Sequence, residues 1–306
     1  MTKILRGGVI GAGVFGGHHA RQYARLPGVV LSGVLDPHPD RAAALAAPLG
    51  GRAFVDLDEF LDAVDVVTVA SPGPAHADQA VAALRAGKPV YVEKPLAVTL
   101  GEAAAIRAAA DETGLTVACG HQERVLFQVI GLFDIPEPPL RLEAVRHGAP
   151  SHRSLDVSVV LDLMIHDLDL ALALSPASPV SVQGEGRIGP CSYWAEAQAQ
   201  AAFDDGFAAA FDVSRRADDR RRAMRVTYPS GEVEIDFLTR AFRNTTPFAL
   251  NADFAETPAA QDTLAASITA FLQAVRGEAP EPLVGLDDAT RALDLALRVE
   301  RSLAAA

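Results

Sequence analysis

Apolar runs of strand length alternate with Ala-rich segments over the first 120 residues of the chain. The runs lie at residues 4–9, 29–35, 64–70, 90–92 and 116–120. The segments between them have helical composition, and those at residues 75–86 and 101–112 end at Gly87 and Gly114, where a helix favours glycine. Buried strands that alternate with helices are typical of a parallel sheet covered on both faces. The pattern predicts an α/β domain over residues 1–120.

After residue 120 the pattern changes to alternating polar and apolar positions. Strands are predicted at residues 140–147, 179–187, 194–203, 207–214, 222–228 and 232–237. The turn sequences at residues 204–206 and 229–231 favour antiparallel pairing of the strands beside them. Helices are predicted at residues 156–174, 263–276 and 287–303. We therefore predict a second, α+β domain over residues 121–306, with C-terminal helices that could pack back on the first domain.

A G-x-G-x-x-G motif, Gly11, Gly13 and Gly16, follows the first predicted strand and opens a helix. In this context the first glycine allows a tight turn, the second lets the backbone approach a pyrophosphate, and the third lets the helix pack on the sheet. The helix N-terminus, with Val14 and Phe15, offers N–H groups and a favourable dipole to the phosphates. The motif predicts a dinucleotide-binding Rossmann domain. A glycine turn that only packs the βαβ unit is the alternative.

An acid, Asp36, ends the second predicted strand, 20 residues after the third glycine of the motif. A carboxylate at this position accepts hydrogen bonds from the adenosine ribose hydroxyls. The next Arg or Lys in the sequence is Arg41, so a ribose 2′-phosphate would meet an uncompensated negative charge. The predicted cofactor is therefore NAD rather than NADP.

Composition and charge narrow the function classes. The 306 residues carry a formal net charge of −12, which argues against nucleic acid or an anionic membrane as the main partner. Cys119 and Cys191 lack metal-ligand spacing, so the sequence predicts a reducing cytoplasm, no disulfide framework and no metal site. No apolar run reaches the roughly 18 residues that a membrane span needs. The Arg-rich residues 215–222 are interrupted by acids and predict a solvated turn rather than a phosphate-binding patch.

Lys94 directly follows the strand predicted at residues 90–92, between Glu93 and Pro95. Ligands of an open parallel sheet bind beyond the carboxyl ends of its strands, so this position points toward a nicotinamide. Lys94 is a candidate proton donor or acceptor, because desolvation brings lysine ammonium groups into the range of acid–base catalysis. A solvent-exposed lysine at a strand end is the alternative.

Charged residues interrupt the apolar run at residues 160–170. Asp162, His166 and Asp169 have the spacing i, i+4 and i+7 and so share one face of the predicted helix. Charged side chains are costly to bury unless they are paired, and a carboxylate one turn from an imidazole can orient it as a general base. We favour a catalytic Asp162–His166 pair over a structural pair or a metal site.

These motifs occur together in one enzyme family. Over nearly its whole length the chain resembles the glucose–fructose oxidoreductase and inositol dehydrogenase (Gfo/Idh/MocA) family. The matching motifs are the glycine loop with residues 19–20, residues 69–72 with His76, and residues 86–90, 93–96 and 162–169. The resemblance implies a Rossmann domain plus an α+β domain with an open, mostly antiparallel sheet. It also implies a homo-oligomer, a dimer or a tetramer.

The resemblance assigns roles to individual residues. The NAD site would comprise the glycine loop, Asp36, Ser71, Pro72, His76, Glu93 and Lys94. Lys94 would also contact the substrate hydroxyl, His166 would take or return its proton, and Asp162 would hold both the substrate and the imidazole. Asp169 would be structural. Residues 122–125 depart from the family pattern, in a segment that lines the sugar site in relatives.

The predicted activity is the NAD-dependent oxidation of a sugar hydroxyl to a ketone. The sequence around residues 156–169 is similar to a branch that oxidises the 3-hydroxyl of UDP-N-acetylglucosamine, a step toward diamino sugars such as lipid A precursors. Arg124, Arg146 and Arg153 are the candidate contacts of the diphosphate, with solvent-exposed arginines as the alternative. The alternative activities are an inositol or free aldose dehydrogenase and an NAD-binding regulatory protein without turnover.

Overall fold

The computed structural model describes residues 3–150, 156–190 and 192–304 of the chain. The chain divides into two compact units. The first comprises Met1–Gln122 and Asp262–Asp287, and the second comprises Glu123–Gln261 and Asp288–Ala306. Each unit is therefore built from two separate stretches of sequence.

The first unit contains a six-stranded, fully parallel sheet. Its strands are β1 (Leu5–Ile10), β2 (Val29–Leu35), β3 (Arg52–Phe54), β4 (Val66–Val69), β5 (Val90–Val92) and β6 (Val117–Cys119). The helices between them are α1 (Val14–Arg25), α2 (Pro39–Ala46), α3 (Leu57–Ala63), α4 (His76–Arg85) and α5 (Leu100–Thr113). The strand order β3-β2-β1-β4-β5-β6 is that of a dinucleotide-binding Rossmann fold. The predicted fold of this unit is confirmed.

Local sequence signals set the helix ends of the first unit. The carboxylate of Asp56 accepts a hydrogen bond from the backbone N–H of Glu59 (2.9 Å) and starts α3. Thr99 and Glu102 form a reciprocal capping box at the start of α5, and Gly114 ends that helix in the left-handed region (φ +66°). Strands β4 and β5 are buried at every position, as central strands covered by helices must be.

The second unit is built on a seven-stranded sheet. It begins with α6 (Glu123–Ile130) and β7 (Arg141–His147), and a π-helix (Val160–Met164) leads directly into α7 (Ile165–Leu174). The remaining elements are β8 (Pro179–Ile188), β9 (Trp194–Phe203), β10 (Ala208–Ser214), β11 (Arg221–Tyr228), β12 (Gly231–Asp236), β13 (Phe242–Asn244) and α8 (Pro258–Gln261). The order is β13-β12-β11-β7-β10-β9-β8, and only the β7–β10 pair is parallel. The predicted α+β unit with a mostly antiparallel sheet is confirmed.

The last two helices are α9 (Thr263–Val275) and α10 (Leu286–Ala304). Helix α9 belongs to the core of the first unit, where Ile268, Phe271 and Leu272 are buried with the side chains of β1 and β2. The hydroxyl of Tyr91 on β5 lies 2.9 Å from that of Ser267, and the Phe271 ring packs edge-on against the Tyr91 ring. These contacts explain why a stretch near the C-terminus completes the first unit.

The structure differs from the sequence-based prediction at short elements. Strands β3 and β13 have three residues each and lie at sheet edges, where so short a run shows no periodicity. The helix predicted over residues 156–174 begins as a π-helix, a difference that changes the candidate site. None of the helices in the described part of the chain is long and apolar enough to cross a membrane.

Candidate cofactor and acid–base sites

Two glycines of the loop between β1 and α1 are required by close backbone contacts. Gly11 has a φ of +103°, and a Cβ there would lie 2.7 Å from the carbonyl oxygen of Ala70. A Cβ at Gly16 would lie 1.8 Å from the carbonyl oxygen of Gly11. The loop can therefore turn from the strand into the helix in this way only with glycine at both positions.

Gly13, the second glycine of the motif, is not required by any contact among the described residues. It occupies the N-cap position of α1, and no heavy atom of the described residues lies within 4 Å of the place its Cβ would take. Val14 and Phe15, which follow it, are about half exposed. Open space beside the N–H groups of a first helical turn is what a bound pyrophosphate needs.

Alanine substitutions at Gly13 and Gly16 distinguish a glycine needed for cofactor binding from one needed for folding. We expect Gly13→Ala to fold normally, because its Cβ enters open space, and to weaken NAD binding by about tenfold or more, since the methyl group occupies the approach of the pyrophosphate. We expect Gly16→Ala to destabilise the fold by about 1–3 kcal/mol, because the helix must shift. Calorimetric titration with NAD and thermal unfolding measure the two effects. Unchanged NAD affinity of folded Gly13→Ala protein would contradict the assignment.

Asp36 holds the glycine loop and retains capacity for a ligand. Its side chain follows β2 and is buried, with one carboxylate oxygen accepting from the N–H of Ala12 (2.8 Å) and the other from the N–H of His38 (2.9 Å). An ionised carboxylate offers about four acceptor positions, so ribose hydroxyls can still donate to it. The predicted ribose contact and the shape of the loop thus depend on the same side chain.

His76 braces the loops that follow β4 and β5. Its Nδ1 lies 2.7 Å from the carbonyl oxygen of Pro95, and its Nε2 lies 2.9 Å from that of Ser71. Burial lowers the pKa of His76, against the opposing effect of these carbonyl groups and of Glu93. A neutral imidazole has one N–H, so His76 donates to one of these two carbonyl oxygens, and its predicted contact with the cofactor stays a prediction.

Glu93, at the carboxyl end of β5, forms a buried ion pair with His19 of α1. The carboxylate Oε1 lies 2.7 Å from Nε2 of His19 and also accepts from the amide of Gln122 (3.2 Å). A Cβ at Gly120 would lie 2.8 Å from the carboxylate, so glycine there leaves room for it. Burial raises the pKa of Glu93, but His19 and Lys94 outweigh it and the net pKa is lowered. The pair fixes the strand end that carries the half-buried Lys94.

In the second unit, His166 is paired with Glu123. His166 lies in the first turn of α7 and Glu123 begins α6, and the distance from Nδ1 to the carboxylate Oε2 is 2.6 Å. Asp162 pairs instead with Arg215 (3.0 Å), which also donates to the carbonyl oxygen of Ser158 (3.1 Å). These ion pairs give Asp162 and His166 different partners, and the prediction that Asp162 orients His166 stays a prediction. Arg215, predicted to lie in a solvated turn, is half-buried and anchors the π-helix.

The π-helix explains why the spacing argument fails. Its hydrogen bonds run from residue i to residue i+5, so side chains no longer follow the i, i+4 positions of an α-helix. Asp162 lies inside the π-helix and His166 lies beyond it. The α-helical period therefore no longer predicts a shared face for these two residues. π-Helical turns within helices are frequent at functional sites.

Arg146 of β7 is buried and joins the same cluster. Two of its nitrogens donate to the carboxylate of Asp167 at 2.7 and 3.1 Å, and the third donates to Glu123 at 3.0 Å. Burial would lower the pKa of the guanidinium, but the two carboxylates raise it above its usual value. Three of its five N–H groups therefore donate to carboxylates inside the unit, while the predicted diphosphate contact of Arg146 stays a prediction.

Arg124 of α6 has an equivalent arrangement. It donates to Asp169 at 2.7 and 2.8 Å and to Asp288 at 2.9 Å. The side chains of Arg124 and Asp169 are 9% and 1% exposed. Its predicted diphosphate contact stays a prediction, and Arg153 lies outside the described residues. The structural role predicted for Asp169 fits this pairing.

Replacing Arg124 tests whether it stabilises the fold or binds the substrate. We expect Arg124→Ala to lower the free energy of unfolding by about 3–5 kcal/mol, because Asp169 is left as an uncompensated buried charge. Arg141→Ala is the matched control, since its exposed ion pair with Glu143 contributes only about 0–1 kcal/mol. Denaturant unfolding measures both variants. A fully stable Arg124→Ala protein with a raised KM would restore the substrate role.

Comparison with known proteins places the chain in a family. An oxidoreductase profile with an NAD-binding Rossmann fold matches residues 5–121, and a Gfo/Idh/MocA C-terminal domain profile matches residues 133–234. The chain is 36% identical over 284 residues to UDP-N-acetylglucosamine 3-dehydrogenase of Acidithiobacillus ferrooxidans, and the match covers 90% of each sequence. The chain belongs to the Gfo/Idh/MocA family. The predicted family, NAD cofactor and oxidoreductase class are confirmed.

Solved structures and further relatives of the Gfo/Idh/MocA chain agree with this assignment. The structure of the Acidithiobacillus ferrooxidans enzyme matches with a TM-score of 0.89 and 34% identity over 98% of each chain. Inositol 2-dehydrogenase of Leifsonia xyli is 34% identical over 195 residues, or 60% of this chain and 57% of its own. The WlbA dehydrogenase of Bordetella pertussis, at 17% identity and a TM-score of 0.88, shares the fold.

Sequence reasoning missed the roles of Glu123 and Arg215. Each lies far along the chain from the residue it pairs with, and no spacing rule links such positions. The one available signal for Glu123 was its place in the segment 122–125, where the chain departs from the family pattern. For Arg215 the only signal was the Arg-rich composition around it.

Proposed function

We propose that this protein is an NAD-dependent UDP-N-acetylglucosamine 3-dehydrogenase that oxidises the 3-hydroxyl of the sugar to a ketone. The observation that carries the proposal is the 36% identity to an enzyme of that name along 90% of both sequences. The match to an inositol 2-dehydrogenase covers only 60% of the chain. The glycine loop and the imidazole–carboxylate pair supply the two chemical functions that such an oxidation needs.

The residues of the first unit bind and orient the cofactor. The loop at Gly13 offers space and helix N–H groups to the pyrophosphate, and Asp36 offers acceptor positions to the ribose. When bound, NAD supplies the hydride acceptor. Lys94, which follows the fixed side chain of Glu93, contacts the substrate hydroxyl and the nicotinamide ribose.

The residues of the second unit move the proton. His166 receives the proton of the 3-hydroxyl at Nε2, because its Nδ1 faces the carboxylate of Glu123. Asp162, held by Arg215, binds a neighbouring part of the sugar. The product, a 3-oxo nucleotide sugar, suits an aminotransferase that makes diamino sugars of the lipid A type. We also propose that the enzyme acts as a cytoplasmic homo-oligomer.

A substrate panel tests the proposed activity. Formation of NADH is measured with UDP-N-acetylglucosamine, free N-acetylglucosamine, glucose 6-phosphate and myo-inositol. We expect the nucleotide sugar to have the highest kcat/KM and the free sugar to be far poorer, because binding energy from the remote nucleotide helps to orient the reacting carbon. A higher kcat/KM with inositol or with free sugars would overturn the proposal in favour of a polyol or aldose dehydrogenase.

Alanine variants test the proposed acid–base roles. We expect Lys94→Ala and His166→Ala each to lower kcat by about 10²- to 10⁴-fold, the range for a lost acid–base group, with NAD affinity nearly unchanged. The double variant should lose less than the product of the two effects if both residues serve one proton transfer. Normal turnover per folded molecule of His166→Ala would return this residue to a structural role.

A further inference from the structure

We infer that Glu123 is the positioning residue that fixes the tautomer of His166. The inference deepens the proposed function, since it states how the imidazole presents Nε2 to a hydroxyl. It replaces the local partner that helix spacing suggests, Asp162, by a residue on a different helix.

The close carboxylate favours one position for the proton of the ring. Oε2 of Glu123 and Nδ1 of His166 are 2.6 Å apart without the alignment of a full hydrogen bond, and a negative charge at that distance favours a proton on Nδ1 over a bare lone pair. A neutral imidazole carries one N–H, and a proton on Nδ1 leaves Nε2 as the acceptor. The Glu123 carboxylate thereby selects the tautomer that can act as a base at Nε2.

Glu123 is itself held in place. Its other oxygen accepts a hydrogen bond from Arg146 (3.0 Å). Arg146 also donates to Asp167, the residue next to His166. Burial raises the pKa of Glu123, but His166 and Arg146 outweigh it and hold the pKa well below its usual range. The carboxylate therefore stays ionised and can stabilise the imidazolium formed when the proton is taken.

The charged groups around the Glu123 carboxylate that faces His166 come from several elements. Glu123 lies on α6, Arg146 on β7 and Arg222 on β11, while Asp167 lies on α7 itself. In the π-helix, the carboxylate of Asp162 is paired with Arg215. Glu123 and Asp162 carry the same charge but have different partners, so variants at these two positions separate the effect of the partner from the effect of the charge.

Nuclear magnetic resonance of the protein without substrate tests the inference independently of any activity. The ¹⁵N shifts of His166 report which ring nitrogen carries the proton. We expect the Nδ1–H form in the wild type and in Asp162→Asn, and its loss in Glu123→Leu, which removes the acceptor. Retention of this tautomer in folded Glu123→Leu, or its loss in Asp162→Asn, would overturn the inference.

Glu123→Gln is a milder variant that covers the case in which the leucine variant does not fold. Its amide oxygen can still accept from Nδ1–H, but the negative charge is gone, so the imidazolium is less stable. We expect kcat to fall by about tenfold or more, with KM little changed. Glu123→Asp, which keeps the charge, should restore part of kcat. An unchanged kcat in folded Glu123→Gln would contradict the inference, and a wild type inactive on all sugars would contradict only the proposed function.

A second, independent observation concerns Arg222, which we infer to bind a phosphoryl group attached to the sugar. Arg222 lies directly opposite Arg146 in the β7–β11 register, so the two side chains share one face of the sheet. The guanidinium is half-buried, and the structure shows no ion pair for it within the described ranges. The nearby carboxylates of Glu123 and Asp167 are already engaged by Arg146.

Charges of both signs surround Arg222. Burial and the positive charges of Arg146 and Arg220 lower the pKa of Arg222 and outweigh the opposite effect of Glu123 and Asp167. An anion bound there would relieve both effects, and arginine matches phosphate oxygens with paired hydrogen bonds. The two candidates predicted earlier, Arg124 and Arg146, are engaged in internal pairs, whereas Arg222 has capacity for a ligand.

Matched charge variants on β11 test this site. Arg222→Gln removes the inferred contact, and Arg221→Gln removes the same charge from the exposed, opposite face of the strand. We expect the KM for UDP-N-acetylglucosamine to rise roughly ten- to a hundredfold in Arg222→Gln and to stay near the wild-type value in Arg221→Gln. NAD affinity should be unchanged in both variants.

The substrate panel separates the sources of the phosphoryl group. A KM effect of Arg222→Gln confined to UDP-N-acetylglucosamine identifies the diphosphate, and one confined to glucose 6-phosphate identifies a sugar monophosphate. Equal KM values for wild type and Arg222→Gln with both phosphorylated sugars would overturn the inference. A wild type that oxidises only free sugars would overturn it together with the proposed substrate, whereas glucose 6-phosphate as the best substrate would overturn the proposed substrate alone.

Discussion

The requirement that buried charges be compensated organises the second unit. Helix α7 is apolar on nearly all sides, yet it carries Asp167 and Asp169, whose side chains are 3% and 1% exposed. Removing a carboxylate from water costs several kcal/mol unless a cation and well-placed hydrogen bonds replace the solvent. Arg146 binds the carboxylate of Asp167 through two nitrogens, and Arg124 binds that of Asp169 in the same way. These arginines lie on β7 and α6. The ion pairs that compensate the buried carboxylates of α7 therefore also align α7 with the sheet and with the first helix of the unit.

The acid–base pair is an extension of that network. Glu123 is shared between Arg146 and His166, so the carboxylate that completes a structural cluster also faces an imidazole that is 14% exposed. Asp162 and Arg215 stabilise the π-helix that precedes His166. The first unit uses a similar device, since the ion pair between Glu93 and His19 joins the end of β5 to the helix that receives the pyrophosphate. In both units a buried ion pair fixes the backbone next to a residue assigned to chemistry.

Much of the fold follows from local sequence. The apolar runs of β1, β2, β4 and β5, the capping box of α5 and the glycine that ends it are signals within a few residues of the element they define. The glycine loop is equally local, because the positive φ at Gly11 and the contact between Gly16 and the carbonyl of Gly11 lie within one turn. NAD as the cofactor follows from that loop and from Asp36 for the same reason.

The partner of each charged residue was decided only by the tertiary structure. From the sequence, Asp162 and His166 share a helical face, and the arginines at positions 124 and 146 are free cations. In the folded chain a π-helix interrupts the α-helical period, and His166 is paired with Glu123. Both arginines form ion pairs with carboxylates of α7. A sequence states which charges must be neutralised, because burial follows from the apolar residues around them. Which opposite charge arrives depends on how distant strands and helices pack, and only the folded chain specifies that geometry.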